Sequence, residues 1–158
     1  MTPYRLARTL DTSSDPANPG PDEISQIMED TRTIAVVGLS RDPTKAARRV
    51  PSYLAAKGFE VIPVNPFATR ILGKDARASL ADVTDPVDMV LVFRPSSDAG
   101  DVIREAAQRP ERPVIWLQEG IRNDTAAAEA RASGITVIQD LCIYKVHRVL
   151  AARVASVG

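Results

Sequence analysis

The sequence is short of the residues from which many small proteins build a site. It holds one cysteine, Cys142, and one histidine, His147, in 158 residues. A lone thiol excludes an internal disulfide framework, and with no CxxC pair or Cys/His cluster there is no structural zinc site to expect. Both absences suit a reducing, intracellular setting. Net charge is missing as well, since twenty Lys and Arg balance twenty Asp and Glu. No global field recruits nucleic acid or a membrane surface, so neither is an expected partner. Apolar runs fall short of the roughly 18 residues that a membrane span needs. The N-terminus also lacks the basic start and apolar core of a secretion signal. The expectation is a soluble, cytoplasmic protein of one domain, with 44% hydrophobic residues to fill its core.

The neutrality hides a local imbalance. From Arg32 to Arg77 there are nine basic residues against three acidic ones. Solvated helix faces account for some of these, and an anion site would account for the clustering. Residues 1–21 read as a flexible N-terminal arm, because "DTSSDPANPGP" has no periodicity and is rich in Pro, Ser and Asn. Residues 22–158 read as the domain.

Within that domain, apolar runs alternate with amphipathic segments. "TIAVV", "FEVIPV", "VDMVLVF", "PVIWLQ" and "ITVIQ" are separated by helical patterns, with Gly58 and Gly134 placed to end two of them. Near-continuous Val/Ile/Leu strands joined by helices predict an α/β fold: a Rossmann-like, doubly wound parallel sheet with helices on both faces. A sixth, short strand is expected near Lys74 to Ala76, and a capping box is expected at Ser79 and Asp82. The expected strand order is 3-2-1-4-5-6, which places ligands beyond the carboxyl ends of the strands, near the switch point.

The first strand runs into "GLSRDPTK". Gly38 stands where a dinucleotide loop has its first glycine, but the later glycines are absent. The second strand ends in Pro63-Val64-Asn65-Pro66 with no carboxylate to hold ribose hydroxyls, which argues against NAD. The loop offers instead the Ser40 hydroxyl, the rigidity of Pro43, and Arg41, Lys45, Arg48 and Arg49 at the start of the next helix. Cations at a helix N-terminus suit a ligand with several phosphates. Coenzyme A and NADP both qualify on charge. Pro51 implies that the regular helix begins late, because proline is tolerated chiefly in a first turn.

The blocks "VVGLSRDPTKAARRVPSYLAAKGFEVIPVNP", "ILGKDARASLADV", "VDMVLVFRP", "WLQEGI" and "QDLCI" together resemble the small bacterial and archaeal CoA-binding proteins. Their single domain is similar to the N-terminal domain of the succinyl-CoA synthetase alpha subunit, and the resemblance spans residues 24–150. It implies coenzyme A or an acyl-CoA in the groove at the strand ends, and with no acid, base or nucleophile assembled by the motifs the chain is expected to bind it without catalysis of its own. Carried over, the contacting residues are Gly38, Leu39, Ser40, Arg41, Pro43 and Lys45, then Asn65 and Pro66, then Phe93, Arg94 and Pro95, then Gln118, Glu119, Gly120 and Ile121, with Arg48 added on charge. Where family members often carry Pro-Ser after the basic residue, this chain has Ala46-Ala47, which removes a hydroxyl. The alternatives are an NADP-binding oxidoreductase and a CoA-binding regulatory subunit of an acyl-CoA enzyme. A homodimer or such an enzyme would be the protein partner. No catalytic or metal constellation is assembled by these motifs.

Three single residues have plainer readings beside the functional ones. Cys142 could meet the CoA thiol, or be a small buried hydrophobe. His147 is expected at the surface, and Trp116, inside a strand, in the core.

Overall fold

The structure, a computed structural model, describes residues 2–157, with side chains described for 5–152. In chain order the elements are α1 (Thr2–Leu10), α2 (Pro21–Asp30), β1 (Thr33–Val37), α3 (Ala46–Ala56), β2 (Glu60–Val64), β3 (Arg70–Ile71), β4 (Lys74–Asp75), a 3-10 turn (Leu80–Asp82), β5 (Met89–Val92), α4 (Ser96–Ala107), β6 (Val114–Leu117), α5 (Asp124–Ala132), β7 (Val137–Ile138) and α6 (Ile143–Val157). The Ser79/Asp82 capping box forms as the spacing predicts.

Five strands make one parallel sheet in the order β2-β1-β5-β6-β7. Its two-residue side-chain period sorts the core. Ala35, Val37, Val90, Val92, Ile115 and Leu117 face α4 and α5. Ile34, Val36, Met89, Leu91 and Trp116 face the other way, toward α1, α2, α3 and α6. Trp116 is fully buried and donates its Nε1–H to the Leu141 carbonyl at 2.8 Å. On the first face, Gly100 lets two helices close up, because a Cβ there would lie 2.7 Å from the Asn123 amide at the start of α5.

The fold expectation holds, and the strand order needs one correction. The expected third strand does not join the sheet as a strand. Lys74–Asp75 pairs antiparallel with Arg70–Ile71 as a small hairpin, and only Arg77 makes a parallel bridge to Val64. Gly73 has a positive φ of 71°, which permits the tight turn that folds the segment back on itself before it can run along β2.

Two local expectations are also corrected. The segment expected as a loose arm forms α1, which packs on α6, and then a loop fastened to the far end of the sheet. Ser13 Oγ donates to the Gln139 carbonyl, Ser14 donates twice to Asp140 Oδ2, and the Gln139 N–H donates to Asn18 Oδ1. Asp15, with 4% of its side chain exposed, pairs with Arg131 at 3.0 Å. The polar residues that look like linker are partners of a distant segment. Nor does α3 begin late, since it starts at Ala46 and Pro51 lies inside it.

Candidate functional site

Every βα loop of the sheet opens on the same edge, and two clefts lie along that edge. The first, about 520 Å³, is lined by Gly38, Ser40 and Lys45 of the first loop, by Asn65, Pro66 and Phe67 after β2, and by Phe93 and Arg94 after β5. Ser79, Val102 and Glu105 complete its walls. The second, about 480 Å³, is lined by Ala46, Arg49 and Val50 of α3, by Gln118, Glu119 and Ile121 after β6, and by Cys142, Tyr144 and Lys145. Phe93 lines both, so the two clefts meet at the end of β5.

Gly38 turns the chain off β1 at φ +90°, and a Cβ there would stand 3.3 Å from the Phe93 carbonyl carbon and the Arg94 side chain. Only glycine satisfies both constraints without strain. The loop beyond is closed by its own short bonds. The Asp42 N–H donates to Ser40 Oγ, and Thr44 donates its N–H and hydroxyl to Asp42 Oδ1. Those Thr44 bonds hold the exposed Asp42 carboxyl below its ordinary range.

Pro51 explains how the loop is anchored. A proline inside a helix cannot donate to the carbonyl four residues back, here that of Ala47. That carbonyl instead accepts from the Ser40 N–H at 3.0 Å. The freed helix acceptor clamps the loop to the first turn of α3. This turn has no side-chain cap, because Lys45 holds the N-cap position and offers no acceptor. The Arg48 and Arg49 N–H groups donate to the Lys45 carbonyl, so the Ala46 and Ala47 N–H groups and the positive end of the helix dipole are what this turn offers an anion.

The cations around this end are mostly without carboxylates. Among the described residues, Arg41, Lys45, Arg48 and Arg49 form no salt bridge. Arg49 donates to the Thr44 carbonyl. Two other cations along the edge are paired, Arg94 with Asp98 at 2.9 Å and Lys145 with Glu119 at 2.9 Å. The Glu119 bond raises the Lys145 ammonium above its ordinary value.

The residues expected at the site fall into three groups. Gly38, Ser40, Lys45, Asn65, Pro66, Phe93 and Arg94 meet in the first cleft, while Gln118, Glu119 and Ile121 meet Phe93 in the second. Leu39 is fully buried, so its side chain belongs to the core, and its carbonyl accepts from Asn65 Nδ2 at 3.0 Å. Arg41, Pro43, Arg48, Pro95 and Gly120 line neither cleft. Gly120 is instead held from behind, its N–H donating to Asp140 Oδ1. Sequence reasoning missed Phe67, Ser79, Glu105, Tyr144 and Lys145. Of these, Lys145 had a signal, three residues past Cys142 and so on the same side of α6.

A family model described as CoA binding domain matches residues 32–148, which span β1 to α6 and both clefts. The chain belongs to the CoA binding domain family. The uncharacterized protein YneT of Bacillus subtilis is 39% identical over 84% of this chain and 97% of that protein. A 95-residue part of an ADP-forming acetate–CoA ligase from Archaeoglobus fulgidus is 30% identical, covering 59% of this chain and 14% of the ligase. Among solved structures, a Thermus thermophilus protein superposes with a TM-score of 0.75 at 38% identity, over 80% of this chain and 96% of that one.

This CoA binding domain also corrects the view of its lone histidine and clarifies its cysteine. His147 is not a surface residue. It lies half-buried between α3 and α6, with Tyr53 Oη 2.6 Å from its Nδ1 and Phe59 edge-on to its ring. Cys142 is 8% exposed, and its sulfur accepts from Gln118 Nε2 at 3.1 Å.

Proposed function

We propose that the protein binds coenzyme A or an acyl-CoA along the carboxyl edge of the sheet. The phosphorylated adenosine half occupies the first cleft, and the pantetheine arm passes Phe93 into the second. The observation that carries this reading is the set of cations without salt bridges around the uncapped start of α3, where Arg94 and Lys145 on the same edge are each paired with a carboxylate. Phosphates supply the missing anions, and the Ala46 and Ala47 N–H groups of the first turn supply directed donors. The second cleft suits the other end of the ligand, because Val50, Ile121 and Cys142 give it apolar surface and Gln118 gives it an amide. Family membership and the ligase segment support the same ligand.

The protein holds this ligand without turning it over. The reactive groups of the second cleft are engaged with one another, Lys145 with Glu119 and the Cys142 thiol with Gln118. An acyl-CoA enzyme, or a second copy of the chain, is the partner that would use the held ligand.

Isothermal titration of ligand-stripped protein with CoA, dephospho-CoA and NADP at fixed salt tests the reading. CoA is expected to bind, with dephospho-CoA at least about tenfold weaker for the loss of one charge-assisted contact. Binding of NADP without CoA would make the protein an oxidoreductase-type nucleotide binder instead, and binding of none of the three would remove the functional reading.

A further inference from the structure

Phe67 is 80% exposed, the large hydrophobic side chain that stands in water among the described residues. Single exposed apolar residues are ordinary, so exposure alone says little. Placement distinguishes this one. Phe67 lines the first cleft beside Pro66, with Val64 and Leu80 forming apolar wall below. Its backbone is pinned, because its N–H donates to Asn65 Oδ1 at 2.7 Å. The Asn65 amide in turn donates to the Leu39 carbonyl at 3.0 Å. The turn that carries the ring is therefore tied across to the first loop, the wall that presents Ser40 and Lys45. Glu105, a carboxylate, lines the same cleft.

We infer that Phe67 is the stacking platform for the adenine ring of the bound nucleotide. This rests on the CoA reading above and adds the residue that selects for the base. A purine offers flat π faces that gain from an aromatic partner, largely independent of its edge hydrogen bonds. An exposed ring on a fixed turn provides that face with little ordering cost on binding. The Glu105 carboxylate accepts from an exocyclic amine and repels phosphate, which sets the amine-bearing edge of the base away from Lys45.

The test uses the full chain as wild type, Phe67→Ala and Phe67→Trp, titrated with CoA, with adenosine 3′,5′-bisphosphate and with pantetheine. Phe67→Ala is expected to weaken CoA and the bisphosphate by a similar factor, about tenfold, while leaving the response to pantetheine and the melting temperature unchanged. In Phe67→Trp, the bisphosphate should quench the new indole, a signal that fully buried Trp116 does not give. If wild type binds CoA and the bisphosphate, and Phe67→Ala binds both within about twofold of it, the stacking role is overturned while CoA binding stands. If wild type binds neither, the CoA reading falls and takes this inference with it.

Discussion

Two polar clusters sit at opposite ends of the same sheet edge, and they are built on opposite principles. At the β7 end, charges are spent on each other. Asp15 pairs with Arg131, Arg122 with Asp124, and Gln139 bridges Asp15 and Asp124. Burial opposes the charge of Asp15, yet bonds from Gln139, Ala17 and Arg131 outweigh it and hold the carboxyl below its ordinary range. At the β1 end, Asp42 is engaged by Thr44, and Arg41, Lys45, Arg48 and Arg49 face solvent or the clefts without salt bridges. The Arg131 and Arg122 pairs at the β7 end tie the fold together, whereas the cations without salt bridges at the start of α3 are available to a ligand. Substitutions at the first end should therefore cost stability, and those at the second should cost affinity.

The largest effect is expected at the β7 end. Asp15→Ala removes the buried carboxylate shared by Arg131 and the Gln139 amide, leaving Arg131 with the Val137 carbonyl and Gln139 with Asp124, and should lower stability by about 2–3 kcal/mol. In a chain of this size that is on the order of 5–10 °C in melting temperature, read by calorimetry. A change under a degree would mean that the network is solvated and idle. Next comes Gly38→Ala, where φ +90° and the close Phe93 carbonyl cost about 1–2 kcal/mol. CoA affinity should fall with it, which places this residue in both categories and marks the boundary of the comparison.

Pro51→Ala separates the two categories more finely. It restores an N–H that competes for the Ala47 carbonyl, so the helix gains up to about 1 kcal/mol while the loop loses its clamp. Faster hydrogen exchange at the Ser40 amide, with an unchanged or higher melting temperature, is the expected result. Slower melting gains matter less than the exchange rate here, and unchanged Ser40 exchange would contradict the clamp.

The smallest effect is a pH dependence. Burial, and then Lys57, push the His147 imidazole below its ordinary value. As pH falls the unfolded chain takes up this proton first, so the stability of the neutral ring is complete above about pH 6.5 and is lost as pH falls through the folded value. A drop of about 1–3 °C between pH 7.5 and 5 is expected, and it should shrink in His147→Gln. Asp15, Asp124 and Asp140, all held below the ordinary carboxylate range, titrate lower and do not blur this window.

The parallel sheet was legible because Val/Ile/Leu runs buried on both faces have few other solutions. The basic loop was legible because local charge imbalance does not depend on the tertiary fold. What escaped was non-local. Residues 13–18 bond to Gln139 and Asp140, over a hundred positions away, and a polar, proline-rich segment gives no periodic sign of such a partner. Phe67 escaped because one aromatic in a loop has no pattern, and its meaning comes from the cleft that the β2 turn borders. His147 did have a sign. It stands four residues after Ile143 and three before Leu150, on the apolar stripe of α6 rather than opposite it.

Whether the cations without salt bridges belong to the ligand is decided by a thermodynamic cycle, one protein substitution against one ligand change, read by isothermal titration. CoA and dephospho-CoA would be compared on wild type and on Lys45→Ala, with melting curves as the control. If Lys45 reads a phosphate of the ligand, wild type should distinguish CoA from dephospho-CoA by about tenfold or more, Lys45→Ala should lose most of that discrimination, and its melting temperature should stay within about a degree. Equal discrimination in both proteins, or a melting temperature that falls while discrimination persists, would show that Lys45 serves the fold and would contradict the account.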